Sequence, residues 1–259
     1  MLFKGKKNIK KPCLELLSYN LQHLFFGCYF FFPIFLLCLT FICQLFDFSI
    51  SKVYNIVLMG TSISFYYCIW LLLKFFESSD IWGLPIEFQI DLILHPSLNY
   101  VLPIGVDSLS IWFVILNHLI IYLSLLYTFS TQNKQYGFIY CLLLLQWGIG
   151  GAFMVFDLLG FFIFFELTLI PIYLLILIYG SRERKIRASY LISLYTLFGS
   201  IFMFFNIFYC FAKFGTTNFF VLMTLDFAPE DAKFLWITFF IAFAAKIPMI
   251  PFHIWLPEA

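Results

Sequence analysis

Charged residues are scarce in this sequence of 259 residues, and apolar residues are abundant. Asp, Glu, Lys and Arg make up 11% of the chain, whereas they make up about 25% of an average soluble domain. Hydrophobic residues make up 63%, which is more apolar surface than a soluble fold of this length can bury. The composition therefore predicts a polytopic membrane protein. The net charge of +1 gives no support to a nucleic-acid-binding function.

Motifs that hold redox cofactors or metals are also lacking. The seven cysteines form no CxxC pair, and most of them lie in apolar runs, where cysteine behaves as a small buried hydrophobe. The sequence contains no GxGxxG stretch and no cluster of metal ligands. We therefore expect no cofactor and no metal on this chain. If the protein serves a redox enzyme, the electrons pass elsewhere.

Seven apolar runs are candidates for membrane spans, each of which needs about 20 residues. They lie near Leu24–Phe46, Val53–Phe76, Ser108–Phe129, Gly137–Phe156, Leu159–Tyr179, Tyr190–Phe211 and from Phe234 onwards. The expected fold is an all-α membrane protein of about seven transmembrane helices. The interval 77–107 is too polar to span, and its alternating stretch IEFQIDLIL predicts a small surface hairpin. Asp107 or Ser108 is well placed to cap the third span.

Basic residues mark two segments outside the spans. Residues 1–23 begin with MLFKGKKNIKKP, and we interpret them as a basic, exposed extension before the first span. The loop SRERKIR after the fifth span is expected on the matrix or cytoplasmic side by the positive-inside rule. Five spans separate the two segments, so the N-terminal lysines then face the other side. We favour the loop as the topology marker because it is short and tightly flanked by spans.

Two titratable residues of opposite charge lie deep in different spans. Glu166 lies roughly 10–12 Å inside the fifth span at about 1.5 Å per residue. Lys246 lies near the middle of the seventh. Such residues are costly in a bilayer, usually face the bundle interior, and often mark an ion or proton path. We predict that the two approach each other or share a hydrated cavity. The alternative is an ion pair that only holds helices together.

Prolines follow Lys246 closely enough to open its helix. Pro248 and Pro251 each remove a backbone donor and clash with the preceding turn. Opened backbone at membrane depth is tolerated where it is buried in protein or lines a wet cavity. His253 falls in this segment, and its titration range suits a proton relay, although a structural role is equally open. Pro171 predicts a kink in the fifth span.

Other polar residues in the spans have simpler interpretations. One face of the sixth span carries four small hydroxyl residues at helical spacing: Ser189, Ser193, Thr196 and Ser200. We favour close helix packing over a water-lined path for this stripe. Asn117 and His118 in the third span are interpreted as satisfied buried polar groups.

Four blocks of this sequence resemble the antiporter-like, proton-pumping membrane subunits of respiratory complex I, and the mitochondrial members best. They are AFAAKIPMIPFHIWLPEA, FFIFFELTLIPIYLLI, YGSRERKIRASYLISLYTLFGS and IGVDSLSIWFVIL. The resemblance is strong from residue 101 to 259. It implies a fold of fourteen transmembrane helices with two inverted five-helix repeats. It also implies proton translocation across the mitochondrial inner membrane, driven by NADH oxidation by ubiquinone in other subunits.

The resemblance assigns residues and partners as well. By motif position, Glu166 and Lys246 are the family's paired glutamate and lysine, and His253 falls on a histidine position in the broken helix. Residues 24–129 correspond to three opening helices, and residues 137–259 to most of the first repeat, ending inside the broken helix. The other membrane-arm subunits and membrane lipids are the expected partners.

The length departs from the family pattern, because the second repeat is not in this sequence. We hypothesise that a second chain carries the C-terminal half, and the alternative is a truncated transcript. Three alternatives to a complex I subunit remain open: a subunit of a cation/proton antiporter, a subunit of a membrane-bound hydrogenase, or a scaffold that supports assembly without transport.

Overall fold

The computed structural model describes residues 10–78, 86–95, 100–130 and 136–258 of the chain. Expectations for residues 1–9 and Ala259 therefore lie outside the described residues. The main elements are helices α1 (Lys10–Leu45), α2 (Ile50–Ser78), α3 (Ser110–Ser130), α4 (Tyr136–Met154), α5 (Leu158–Leu167), α6 (Leu169–Leu174), α7 (Lys185–Phe214), α8 (Phe219–Met223), α9 (Pro229–Lys246) and α10 (Trp255–Glu258), and strands β1 (Ile86–His95) and β2 (Tyr100–Asp107).

The described chain contains six spans that are long and apolar enough to cross a membrane. The expected seventh, α9, has 18 residues, but four of them are charged: Glu230, Asp231, Lys233 and Lys246. Its apolar part is therefore shorter than a bilayer, and the chain continues past Lys246 as turns, a 3₁₀ turn and α10. This last helix is discontinuous, as the prolines predict.

Several segments differ in extent from their sequence-based boundaries. The first helix begins at Lys10, so part of the predicted N-terminal extension is helical. The sixth span begins at Lys185, so the last three residues of SRERKIR belong to α7 rather than to a loop. The fifth span is divided into α5, α6 and a π-helical segment, Leu175–Tyr179. Amphipathic and apolar patterns do not define such ends, because helices extend beyond the membrane as long as backbone hydrogen bonds continue.

The predicted hairpin is present, and part of it is buried rather than lying on the surface. β1 and β2 pair antiparallel, and β2 carries the buried side chains Leu102, Ile104 and Val106. The Phe156 N–H donates to the Pro103 carbonyl at 2.9 Å, so β2 also closes over the turn between α4 and α5. These contacts fix one end of the bundle.

The third span is capped as the sequence predicts, by Asp107. Its Oδ1 accepts from the Ser110 N–H at 2.5 Å, and the Ser110 Oγ accepts from the Asp107 N–H at 2.9 Å. Each side chain thus accepts a hydrogen bond from the backbone N–H of the other residue at the start of α3. Ser108 is the alternative that the structure does not use.

Helix contacts divide the fold into two parts, which meet where α4 packs on α5. In one part, α1 packs on α2 and α4, and α3 packs on both α2 and α4. In the other, α7 packs against α9, α5 and α6. Two glycines let α4 approach α5 closely: a Cβ on Gly148 would lie 3.1 Å from Thr168 Cγ2, and one on Gly151 would lie 2.3 Å from Phe164. This contact places the break in the fifth span at the centre of the bundle.

Candidate functional site

The candidate site lies at the C-terminal end of α5, a helix whose two ends are set by Asp157 and Pro171. Asp157 caps its N-terminus: Oδ2 accepts from the Gly160 N–H at 2.9 Å, and the Thr217 hydroxyl donates to Oδ1 at 2.6 Å. The helix ends at Leu167, because Pro171 has no N–H to donate to the Leu167 carbonyl and its ring crowds that turn. Glu166 and Phe165 therefore lie in the last turn of α5, where backbone carbonyls lose their helical partners.

Lys246, the last residue of α9, binds to the C-terminal end of α5. Its Nζ donates to the Phe165 carbonyl at 2.6 Å and to Thr168 Oγ1 at 3.1 Å. The Thr168 hydroxyl itself donates to the Phe165 carbonyl at 2.8 Å, which closes a three-membered set of hydrogen bonds. The ammonium also lies 3.3 Å from the centre of the Phe165 ring. A cation is favoured here because carbonyls and the negative end of the helix dipole converge on it.

Glu166 adds a full negative charge to the same region. Its half-buried carboxylate lies beside Ser200 of α7 and interacts electrostatically with Lys246. No salt bridge joins the two among the described residues, since the lysine is bonded to the end of α5 instead. The two charges thus act on each other electrostatically without a hydrogen bond between them. Their role in proton transfer stays a prediction.

Close packing of α7 on α9 brings the site together. A Cβ on Gly199 would lie 2.6 Å from the Ala245 Cβ, so only glycine permits this approach. All four hydroxyls of the predicted stripe donate to carbonyls of their own helix, at 2.6–3.1 Å. These bonds agree with the packing interpretation of the stripe, which stays a prediction. Thr196 also shares a cavity of about 110 Å³ with Lys246, which is large enough to hold water.

The proline-rich segment after Lys246 opens as predicted. Pro248 has no N–H to donate to the Ala244 carbonyl, which accepts from the Met249 N–H at 3.1 Å instead. In a regular helix the Met249 N–H would donate to the Ala245 carbonyl. Here that carbonyl accepts from the Trp255 indole N–H at 3.3 Å. The rearrangement satisfies the freed carbonyls within the protein, as membrane depth requires.

His253 is not brought to the pair. It lies exposed in the 3₁₀ turn Phe252–Ile254, and no hydrogen bond joins its imidazole to Glu166 or Lys246 in the described part of the chain. The sequence also missed two contributors, Thr168 and the Phe165 carbonyl. Their signal is local: a threonine between a membrane glutamate and a proline lies where a helix must release carbonyls.

The buried polar groups of α3 are satisfied, as the sequence predicts. His118 Nδ1 contacts the Val114 carbonyl at 2.8 Å, and its Nε2 contacts the Tyr29 hydroxyl at 2.8 Å. The Asn117 amide donates to the Gln146 carbonyl at 2.9 Å. These residues hold α1, α3 and α4 together, away from Lys246. No group of three potential metal ligands occurs among the described residues.

Residues 156–259 match the family NADH:quinone oxidoreductase/Mrp antiporter, transmembrane. The chain is 37% identical to NADH-ubiquinone oxidoreductase chain 4 of Chondrus crispus over 206 residues, which are 79% of this chain and 41% of the relative. It is 44% identical to the protein of that name from Prototheca wickerhamii over 165 residues, 63% of this chain and 31% of the relative. The chain thus spans about two fifths of the first of these relatives and less of the second.

Solved structures agree with the fold. Respiratory complex I from Thermus thermophilus with bound NADH contains a chain that aligns with a TM-score of 0.73 and 26% identity, covering 89% of this chain and 46% of that one. A chain of the archaeal membrane-bound sulfane sulfur reductase aligns with a TM-score of 0.70 over 89% of this chain and 35% of that one. At 19% identity, the second likeness shows the shared fold alone.

Proposed function

We propose that this chain, whose residues 156–259 belong to the NADH:quinone oxidoreductase/Mrp antiporter family, helps to translocate protons as part of chain 4 of respiratory complex I. Its relatives carry that name, and the matching chain of known structure comes from a complex I. One observation carries the proposal. A lysine at the end of an interrupted helix is bonded to an opened helix end and lies close to a membrane glutamate without pairing with it directly.

This arrangement suits a group that gains and loses a proton. Protonated Lys246 is stabilised by the Phe165 carbonyl, the Thr168 hydroxyl and the charge of Glu166. Loss of the proton removes the attraction of all three at once. A change of charge at Glu166 therefore shifts the protonation of Lys246, and the reverse also holds. The cavity that Lys246 shares with Thr196 offers space for a water molecule that receives or delivers the proton.

The remaining parts of the proposal concern location and partners. The chain is a multi-pass membrane protein, and we place it in the mitochondrial inner membrane beside the other membrane-arm subunits and lipids. It holds no redox centre in this proposal, and electrons pass from NADH to ubiquinone in other subunits. The expectation that a second chain supplies the C-terminal half stays a prediction, which the mass of the subunit in the intact complex would test.

Replacing Lys246 tests the transport role. In the purified complex reconstituted into vesicles, Lys246→Ala is expected to lower the number of protons moved per NADH while the complex stays assembled. Lys233→Ala is the matched control, because Lys233 is an exposed lysine of the same helix. An assembled Lys246→Ala complex with normal proton movement per NADH would exclude the transport role. Loss of the whole complex with both Lys246→Ala and Lys246→Arg would support the scaffold alternative.

A further inference from the structure

A cavity of about 420 Å³ lies at one end of the helix bundle, beside the SRERKIR segment. Side chains of α3, α4, the π-helical segment and α7 line it. The chain leaves the membrane at the ends of α3 and of the fifth span, and it re-enters at the starts of α4 and α7. The cavity therefore lies where four spans meet the membrane boundary. Its volume is in the range of sites for small molecules, about 300–1,000 Å³.

The wall of this cavity is divided into an apolar and a cationic part. The apolar part is formed by side chains of the spans, among them Leu142, Leu175 and Ile176. The cationic part is formed by the loop and the first residue of α7, which contribute Ser181, Arg182 and Lys185. A ligand that fills both parts must itself be amphipathic, with an anionic group at the boundary and an apolar part towards the spans.

The two cations are held in place without being neutralised. The Lys185 Nζ donates to the Ile178 carbonyl at 3.2 Å, and the Arg182 Nη1 donates to the Pro257 carbonyl at 3.3 Å. An ammonium has three N–H groups and a guanidinium has five, so both keep donors for a further acceptor. Neither cation forms a salt bridge within the part of the chain that the structure describes. Glu183 is the single acidic residue of SRERKIR, which carries four basic ones.

Two features of the backbone also converge on the cavity. The π-helical segment Leu175–Tyr179 contributes part of the wall, and π-helical segments are rare and occur frequently at functional sites. Helix α7 begins at Lys185 without a side-chain cap, so the positive end of its dipole lies at the cationic part. The helix start thus favours an anion at the same place as the two side chains.

We propose that this cavity binds an anionic phospholipid, with its phosphate against Arg182 and Lys185 and one acyl chain against Leu142, Leu175 and Ile176. Basic pockets between membrane helices on the matrix or cytoplasmic side suit anionic headgroups. A free phosphate ion would use the cations and leave the apolar wall uncovered. The site does not include Glu166 or Lys246, so it is independent of the proposed transport role.

Photolabelling of the assembled complex tests the site. The probe is phosphatidylglycerol with a diazirine in its acyl chain, and labelled peptides are identified by mass spectrometry. We expect labelling at the start of α4 and in the π-helical segment. The double variant Arg182→Gln/Lys185→Gln keeps donors for the two carbonyls and removes both charges. Labelling at low probe concentration is expected to fall about thirtyfold, since each basic residue near a membrane surface contributes about a fivefold preference for anionic lipid.

Matched variants separate the site from a general charge effect. Arg187→Gln removes a cation of the same segment that does not line the cavity, and it is expected to leave labelling unchanged. Arg182→Lys with Lys185→Arg keeps both charges and is expected to retain labelling. Native gels confirm that each variant is assembled. An equal decrease in Arg187→Gln and in the double Gln variant would contradict the site.

Three further outcomes overturn the proposal. Equal labelling of these segments by a phosphatidylcholine probe, in wild type and double Gln variant alike, would show apolar contact without recognition of an anion. Loss of labelling on addition of inorganic phosphate at the concentration of the probe would identify a site for the free ion. Absence of labelling here, in a complex that the probe labels elsewhere, would show that another part of the complex covers the cavity.

Discussion

Two pairs of opposite charge connect to α7 and α9, and they are built differently. Lys213 and Asp231 form a direct salt bridge near the end of α7 and the start of α9, and the Tyr209 hydroxyl also donates to Asp231 at 2.6 Å. Glu166 of α5, which lies beside Ser200 of α7, and Lys246 at the end of α9 interact electrostatically without a salt bridge. A bridged pair with a third partner holds two helices. An unbridged pair, whose lysine is bonded to neutral oxygens, keeps each charge free to respond to the other.

Neutralising the acidic partner in each pair separates the two designs most strongly. Glu166→Gln removes the negative charge that stabilises protonated Lys246, and we expect it to slow proton translocation by on the order of a hundredfold, the size of effect that loss of a proton-transfer group has. Asp231→Asn is the matched control and leaves translocation unchanged. Proton uptake by vesicles, normalised to assembled complex on native gels, measures both. Equal effects of the two variants would contradict the comparison.

The second prediction concerns the hydroxyl that binds Lys246. Thr168→Val keeps the shape of the side chain and removes a hydrogen bond to a charged group, which is worth about 1.5–3 kcal/mol. Translocation is expected to fall about tenfold, since roughly 1.4 kcal/mol corresponds to a factor of ten. Thr40→Val is the control, because Thr40 is also buried and its hydroxyl donates to a carbonyl of its own helix, that of Leu37, at 2.8 Å. Unchanged translocation in Thr168→Val would remove Thr168 from the site.

A third prediction tests whether close packing of α7 and α9 holds the unbridged pair in place. Gly199→Ala places a Cβ 2.6 Å from that of Ala245, and such overpacking costs about 1–3 kcal/mol of stability. Thermal unfolding of the assembled complex measures the loss. Ser193→Ala, on the same helix with a hydroxyl that bonds its own backbone, serves as the comparison and is expected to be nearly neutral. Equal stability of both variants would contradict the close approach.

The smallest effect is expected from the pH dependence of the bridged pair. The hydrogen bond from Lys213 and then that from Tyr209 hold the pKa of Asp231 below its usual range. Its contribution to stability is therefore present above the pKa of an unfolded aspartate, about 3.9, and is lost as the pH falls through the lower folded value. The difference in unfolding midpoint between wild type and Asp231→Asn should stay constant from about pH 7 to pH 5 and shrink below about pH 4. A difference that already shrinks by pH 6 would contradict the assignment.

Much of the fold follows from the composition and from the positions of capping and turn residues. The six spans are apolar runs of sufficient length, and the hairpin follows from alternation in IEFQIDLIL. Asp107 was identified as a candidate cap because short polar side chains accept from the first N–H groups of a helix. The exact ends were less predictable, as Lys10 and Lys185 show. In both cases the helix continues into basic sequence, because backbone hydrogen bonding does not stop where apolarity does.

The sequence predicts the charged residues of the candidate site and the helix breaks beside them. It does not predict which groups these residues contact. An isolated charge in an apolar span is visible by itself, so Glu166 and Lys246 are identified from the sequence alone. The acceptor of Lys246 is a backbone carbonyl, which every residue has and no side-chain pattern marks. The exposed position of His253 depends on how the opened segment turns after Pro251, a result of local packing that residue types do not encode.

The sequence by itself determined that this protein crosses a membrane several times, carries opposite charges in two apolar helices, and breaks those helices beside both charges. These properties are local, because apolarity, charge and the missing N–H of proline act wherever they occur. Only the tertiary structure decided that the end of α5 meets the end of α9, that Gly199 allows this approach, and that Lys246 bonds to a carbonyl rather than to Glu166. Helices that are apolar on all sides present many equivalent faces, so their mutual rotation is set by small residues and close contacts in three dimensions.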